Sequence, residues 1–344
     1  MRLAWISTLL MLLVPVGRAF AAHVETRLQI GGLAGFVFAD QSRDRAGRDT
    51  SPYYDLHPIY LYTNVSLDER ISAFIEVEYE HAPQITQSQA KGEIKIARGY
   101  IEVAFRDEAS FRLGRFHTNF GPWSEYHWRL ITPTYERIIS FENQYVPAFQ
   151  MGVMFFGKKA VGDQARISYS VWNSLGPEVH ATNERKGRAM SNLGFELSGT
   201  RRGLTAGVAG YTEEDPSFGN RREYHGNVFG KAAKWGLTLT SELTLGKLGA
   251  DKSGNAGSDL RTFHAGLEYQ LNPAWVAYYR FDRGNDMKRS GRTGSASETT
   301  IHSIALKWLP RPGFTLAGEY HSLGFDASDL SGYRKAVVLA GVVF

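Results

Sequence analysis

Between Arg27 and the carboxyl terminus, apolar and polar side chains alternate with a period of two in segments of about ten residues, the signature of strands with one apolar face. The clearest pair covers 59–67 and 71–82. In the first, Ile59, Leu61, Val65 and Leu67 share one face, and Tyr60, Tyr62, Asn64 and Ser66 share the other. In the second, Ile71, Ala73, Ile75, Val77 and Tyr79 oppose Ser72, Glu76, Glu78 and Glu80. Asp68-Glu69-Arg70 makes the tight turn between them. The same pattern predicts strands over 27–38, 94–105, 110–117, 148–157, 165–173, 191–199, 204–212, 224–233, 236–246, 261–271, 275–283, 300–309, 314–323 and 334–344, sixteen in all.

The connections alternate in length. Short ones fall at 68–70, 106–109, 158–164, 200–203, 234–235, 272–274 and 310–313; long polar ones fall at 39–57, 83–93, 118–147, 174–190, 213–223, 247–260, 284–299 and 324–333. Turns at one end, loops at the other and strands just long enough to cross a bilayer at a tilt predict an all-β chain, a transmembrane antiparallel β-barrel of sixteen strands. The last eleven residues, Arg334–Phe344, are rich in β-branched and small apolar side chains. As an open sheet edge they would aggregate, and pairing with 27–38 closes a barrel and removes the edge. The competing soluble forms, a secreted β-sandwich or β-solenoid, leave the alternation of loop lengths unexplained.

The faces agree with a lipid environment. Leu193/Phe195/Leu197, Leu237/Leu239/Leu243/Leu245 and Phe263/Ala265/Leu267/Tyr269 form outward sets, with Trp275, Trp308, Tyr269 and Tyr320 as interfacial aromatics. Two places fit less well. Arg112 and Arg115 fall on opposite faces of one strand, which predicts a bulge or an early strand end. The inward face of the last strand (Val337, Leu339, Val343) is apolar, which predicts contact with neighbours of the first strand or a plug.

Residues 1–21 read as a secretory signal peptide: Arg2 is basic, Leu3–Val16 is mostly apolar, and Ala19-Phe20-Ala21 is an A-x-A cleavage site. The exported barrel is then 22–344. The 344-residue chain has no Cys, which excludes disulfides, thiolate metal sites and covalently attached c-type haem. A net charge of +4, falling to +2 without Arg2 and Arg18, gives no reason to expect nucleic acid.

Together, the leader, the sixteen alternating strands and the terminal Phe344 resemble a Gram-negative outer-membrane porin. The run Phe111-Arg112-Leu113-Gly114-Arg115-Phe116-His117-Thr118-Asn119-Phe120-Gly121-Pro122 is similar to the LG(K/R)F…FG segment of phosphate-selective porins. This resemblance implies residence in the outer-membrane lipid, recognition of the last strand and its terminal aromatic by the barrel-assembly machinery, a homotrimer, and a third long loop folded into the barrel.

No catalytic motif is present: no G-x-S-x-G, no H-E-x-x-H and no Walker lysine loop. The ten His are scattered, and His117 and His127, the two in one loop, lack a third ligand at metal spacing. No metal or cofactor is implied, and neither is an enzyme. The long connection 118–147 is the third long loop, and a thirty-residue loop in a compact domain is usually functional. The expected constriction comprises Glu125, Arg129, Glu136 and Arg137 from this loop, facing Arg98, Arg112, Glu78 and Glu102 on the wall. The inward list is mixed: Glu76, Glu78, Glu80, Glu102, Glu196, Glu242, Glu268 and Glu319 against Lys95, Arg98, Arg112, Arg166, Arg280 and Lys307. For most of these charges the plain expectation is that they solvate a water-filled interior. With no ring of one sign, selectivity is expected to be weak, and a phosphate ladder is absent. The expected function is passive diffusion of small hydrophilic solutes or ions. The alternatives are a barrel that sheathes or anchors a partner protein, hinted at by the apolar last strand, and a barrel hydrolase, which has no motif behind it.

Overall fold

The structure, a computed structural model, describes residues 27–42, 51–56, 59–86, 89–106, 108–125, 132–142, 148–175, 192–215, 221–248, 258–285, 298–325 and 332–344. The leader, Arg129, His127 and the side chains of Glu80 and Glu125 lie outside that description. The strands are β1 (Arg27–Gln41), β2 (Tyr53–Asp55), β3 (Ile59–Ser66), β4 (Ile71–Thr86), β5 (Gln89–Arg106), β6 (Ala109–His117), β7 (Phe149–Val161), β8 (Ala165–Ser174) and β9 (Asn192–Arg201). They continue as β10 (Leu204–Asp215), β11 (Arg221–Lys234), β12 (Leu237–Leu248), β13 (Ser258–Asn272), β14 (Trp275–Asn285), β15 (Glu298–Trp308), β16 (Phe314–Phe325) and β17 (Tyr333–Val343). From β3 onward each strand pairs antiparallel with the next; β1 pairs with β3 on one side and β17 on the other. The result is a closed antiparallel barrel of sixteen strands, with the three-residue β2 continuing the line of β3 along β1.

Closure satisfies both ends of the sheet. Gly32 N donates to Phe344 O (2.9 Å) and Phe344 N donates to Gly32 O (3.0 Å), so the terminal residue still belongs to the ladder. The Phe344 ring lies over Gly32, where a Cβ would stand 2.6 Å from it, and the Tyr62 ring lies over Gly31 on the opposite face. At the short-turn end, Arg202-Gly203 and Trp235-Gly236 have positive φ at both positions. This is the type I′ geometry that matches the twist of the strands it joins. Asp68 Oδ1 accepts from the N–H of Arg70 and of Ile71 (2.7 Å each) and so shapes the turn predicted at 68–70.

The predicted faces hold. Leu193, Phe195 and Leu197 on β9 and Leu239, Leu243 and Leu245 on β12 are exposed on the outside. Thr240, Glu242 and Thr244, between them in sequence, are buried on the inside. Each outward Leu would cost about 1.5–3 kcal/mol in water relative to burial, a cost that hydrocarbon removes. Trp275 and Trp308 stack side by side on the outer face at 6.1 Å.

Two expectations change, and a third is met by the first of its two alternatives. The polar connection placed at 83–93 is largely strand: β4 runs to Thr86 and β5 starts at Gln89. Beyond the bilayer a strand needs no apolar face, so the alternation that marks strands fades there. The irregularity expected at Arg112 and Arg115 is not a register shift within β6, whose pairing with β7 is continuous from Ser110↔Phe156 to His117↔Phe149. It sits on the neighbouring β5, where the β4–β5 register shifts beside Ala97. Within β6, Gly114 has φ +133° and lies so close to Gly99 O that a Cβ would stand 2.2 Å away. The shift returns Arg98 to the inside after outward Ile94 and Ile96, and Arg115 Nε donates to the carbonyl of Ala97 (2.9 Å). Finally, the apolar inner face of β17 forms a core with β1 and the long loop: Val337 and Leu339 pack with Leu33, Val37, Tyr60 and Tyr135.

Candidate functional site

The connection between β6 and β7 turns into the lumen. Its described parts are 118–125, with a 3-10 turn at Pro122–Glu125, and 132–142, with one helical turn at Ile139–Glu142. The entry is anchored locally. Thr118 N donates to Ala148 O (3.0 Å), Phe120 N donates to Ser124 Oγ (3.0 Å), and Ser124 Oγ donates to Gly121 O (2.6 Å). His117 has Nδ1 3.1 Å from Ser124 O and its ring edge-on to Phe149. Phe116 and Phe120 are buried with Met154 and Trp172.

From there the loop is fastened along the inner wall mainly through its own backbone. Gly121 N donates to Glu196 Oε2 (2.7 Å), Trp123 N to Glu242 Oε1 (2.9 Å), and Tyr135 N to both oxygens of Glu319 (2.9 and 2.8 Å). In the opposite sense, Asn227 Nδ2 donates to Phe120 O (2.9 Å) and Lys307 Nζ to Thr132 O. Arg280 donates to Thr134 Oγ1 (2.5 Å), to Glu136 O and to Arg137 O (3.4 Å), with its guanidinium 5.7 Å from the Trp123 ring centre. Lys335 pairs with the Glu136 carboxylate. These partners come from β9, β11, β12 and β14 to β17. Gly121 is obligatory here: its φ is +96°, and a Cβ would stand 2.4 Å from Asn227 Nδ2 and 2.7 Å from Glu242 Oε2.

One relay runs deeper. Trp123 Nε1–H donates to His264 Nε2 (2.9 Å), and His264 Nδ1 lies 2.7 Å from Asp282 Oδ1. The indole can only donate, so Nε2 accepts and the ring proton sits on Nδ1, shared with the carboxylate. Asp282 Oδ2 is also 2.8 Å from Arg280 Nε. Glu242, Arg280, Lys307 and Glu319 are therefore not the water-facing charges expected of a wide interior; all four are buried. Each is bonded to a loop backbone group, and leaving such a buried charge unpaired costs several kcal/mol.

The wall formed by β4, β5 and β6 differs. Arg98 Nη2 meets Glu76 Oε2 at 2.5 Å, and Arg112 Nη2 meets Glu102 Oε2 at 2.7 Å. Arg98 lies over Phe74, and Arg112 lies between Tyr100 and Phe156. Glu78, deeper in the wall, accepts from Tyr60 OH (2.5 Å) and is buried.

Of the residues singled out from sequence, the structure thus places Arg98, Arg112, Glu102 and Glu78 on one wall, with Glu78 buried and bonded to Tyr60. Glu136 and Arg137 are bound to the other wall. His264, Asp282 and Lys335 were not among the site residues singled out. The signal for Lys335 was there, because it shares parity with Val337 and Leu339. His264 and Asp282 also occupy inward positions on strands whose other face is apolar. The FG pair of the local motif proves to be a loop anchor, since Phe120 fills the core and Gly121 allows the close approach to Glu242.

No family model and no curated protein matches the chain. Solved structures do match. An anion-selective porin from Comamonas acidovorans superposes with a TM-score of 0.66 at 12% identity, covering 93% of this chain and 100% of that one. Salmonella typhi OmpF in complex with daunomycin gives 0.65 at 11%, with 92% and 97% covered. The outer membrane channel DcaP of Acinetobacter baumannii gives 0.64 at 11%, with 95% and 99% covered. At these identities the likeness is one of fold, and that fold is the outer-membrane porin barrel.

Proposed function

We propose that this chain is a porin of the Gram-negative outer membrane, a channel for passive diffusion of small hydrophilic solutes and ions, working without a cofactor and without catalysis. The observation that carries this reading is the division of the lumen. A loop bonded along β9 and β11–β17 narrows a barrel that side chains alone cannot fill, while the β4–β6 wall keeps partly exposed charges. The segment 118–147 is the constriction, with Arg98, Arg112 and Glu102 facing the passage and Glu136 and Arg137 on the loop side; Glu125 and Arg129 are assigned to it on sequence alone. Selectivity is weak, because both wall arginines carry their own carboxylates; the same pairing argues against phosphate specificity. The apolar last strand, the hint of a sheathed partner protein, is accounted for by contact with Leu33 and Tyr135. The resemblance to porins further supports removal of 1–21 on export, delivery to the barrel-assembly machinery by the strand ending at Phe344, and a homotrimer.

The test is reconstitution of the purified chain in a planar bilayer. Stable ohmic steps with a small reversal potential in a salt gradient are expected. A silent barrel that co-purifies with a partner overturns the assignment.

A further inference from the structure

Across the inner face of β3 to β7, aromatic rings and a guanidinium stack in one row. Tyr62 and Phe74 lie parallel at 6.1 Å, Phe74 and Tyr100 at 5.3 Å, and Arg112 continues the row at 4.2 Å from Tyr100 and 4.7 Å from Phe156. Gly114 stands directly opposite Tyr100 in the ladder, so no side chain from that position of β6 interrupts the row. A stacked row has few rotamers left to lose, so whatever it presents to the lumen is held in place before a solute arrives.

What it presents is a fork. Arg112 uses Nε (3.1 Å) and Nη2 (2.7 Å) on a single oxygen, Oε2 of Glu102. Among the described residues, Arg112 Nη1, Glu102 Oε1 and the Tyr100 hydroxyl carry no hydrogen bond. The two charged side chains are 19% and 25% exposed, so the fork faces the passage. A donor and an acceptor stand side by side with zero net charge, flanked by apolar rings.

We propose that this fork is a binding subsite for uncharged polyhydroxylated solutes, that is, sugars, within the channel proposed above, on which the proposal rests. A free anion would have to displace a tethered carboxylate and then sit beside it; a cation would meet the guanidinium. A diol meets neither obstacle: one hydroxyl accepts from Arg112 Nη1, its neighbour donates to Glu102 Oε1, and the Tyr100 hydroxyl serves a third. The C–H side of the sugar rests against the Phe74 and Phe156 rings. This is hydrogen bonding at a preorganised, partly dehydrated surface, where each bond contributes more than in bulk water.

The experiment is current block in planar bilayers, with glucose and maltotriose as probes and diglycine and inorganic phosphate as comparison solutes. The two sugars are expected to interrupt the open current at lower concentration than either comparison solute. In Tyr100→Phe, and in the neutral double variant Arg112→Met/Glu102→Met, the half-blocking sugar concentration, scaled to each variant's own open current, is expected to rise roughly tenfold for the double variant and less for the single. Absence of any channel steps sinks the channel assignment itself. Steps without sugar block, block by diglycine or phosphate at lower concentration than by sugar, or block that both variants leave unchanged overturn the subsite and leave the channel standing. Tyr100→Phe removes one oxygen from a ring that keeps its stacking, so it remains informative if the double variant fails to assemble.

Discussion

On β12 to β16, Glu242, Arg280, Lys307 and Glu319 are buried and bonded to the loop, whereas on β5 and β6, Arg98, Arg112 and Glu102 are 20%, 19% and 25% exposed in their side chains and bonded across neighbouring strands. Both sets sit at inward positions of the same barrel and mix the two signs. What separates them is the backbone of the loop. A loop brought into a barrel arrives with N–H and C=O groups that no strand partner satisfies, and the wall beneath it must supply acceptors and donors in matching order. Carboxylates placed under Gly121, Trp123 and Tyr135 and cations placed under Thr132, Glu136 and Arg137 do that. On the other wall no described residue of the loop is bonded to the Arg98–Glu76 and Arg112–Glu102 pairs, and Arg98, Arg112 and Glu102 stay partly exposed.

The largest effect expected from this difference comes from removing the loop. Excision of Trp123–Arg137 with a short Gly/Ser bridge widens the passage and should raise single-channel conductance severalfold, with a gain in rapid current noise. It also leaves Glu242, Arg280 and Glu319 without their loop partners, so melting followed by heat-modified gel mobility should move to lower temperature. Unchanged conductance would mean that the loop lies over the mouth as a lid and does not narrow the channel.

Arg280→Met comes next. The substitution keeps much of the volume, yet it takes the donor away from Thr134, Glu136 and Arg137 and leaves Asp282 beside no guanidinium. Breaking a buried pair from one side costs about 3–5 kcal/mol. Conductance should fall between that of the parent and that of the excised barrel, with longer-lived substates as the second loop segment detaches. If the conductance trace matches the parent, Arg280 is not what holds that segment.

The sequence disclosed one wall better than the other, for a physical reason. Period-two alternation reports which side of a strand a residue is on, and it placed all sixteen barrel strands as well as the inward parity of Glu242, Arg280 and Glu319. Whether an inward residue is then covered depends on a segment that has no period, and nothing in 118–147 announces that Tyr135 N meets Glu319 or that Trp123 reaches His264. Alternation also failed where a strand leaves the membrane, at 83–93, because no lipid imposes a face there. The opposed parities of Arg112 and Arg115 placed an irregularity on the strand 110–117, whereas the bulge lies beside Ala97 on the neighbouring β5. The motif around Gly114 and Gly121 was noticed for its family likeness, and its physical content, two close backbone approaches, became visible only with the neighbours in place.

On the open wall the expected change is in selectivity and not in width. Arg112→Gln removes one positive charge and leaves Glu102 facing the passage. The reversal potential in a KCl gradient should shift toward cation preference while unitary conductance changes little. With the ion pair and the contacts to Tyr100 and Phe156 lost from a partly exposed site, the destabilisation should be about 1–2 kcal/mol, below that of Arg280→Met. A destabilisation as large as that of Arg280→Met would erase the distinction between the walls.

Glu136→Gln should have the smallest effect, and it tests the comparison from the inside, because Glu136 belongs to the loop and pairs with Lys335 at the end of the loop-bearing wall, where neither side chain is fully buried (22% and 11% exposed). The backbone of the same residue is held independently, its carbonyl accepting from Arg280 and from the Thr134 hydroxyl. A glutamine oxygen still accepts from the Lys335 ammonium, so the variant loses charge attraction and keeps the hydrogen bond. At this exposure that difference amounts to about 1 kcal/mol or less. Conductance, noise and melting should therefore stay close to the parent, with only a slight shift of the reversal potential toward anion preference. If Glu136→Gln instead opens the channel as far as Arg280→Met does, the loop is held by its side chains and not by its backbone, and the contrast between a backbone-binding wall and a solute-facing wall would have to be abandoned.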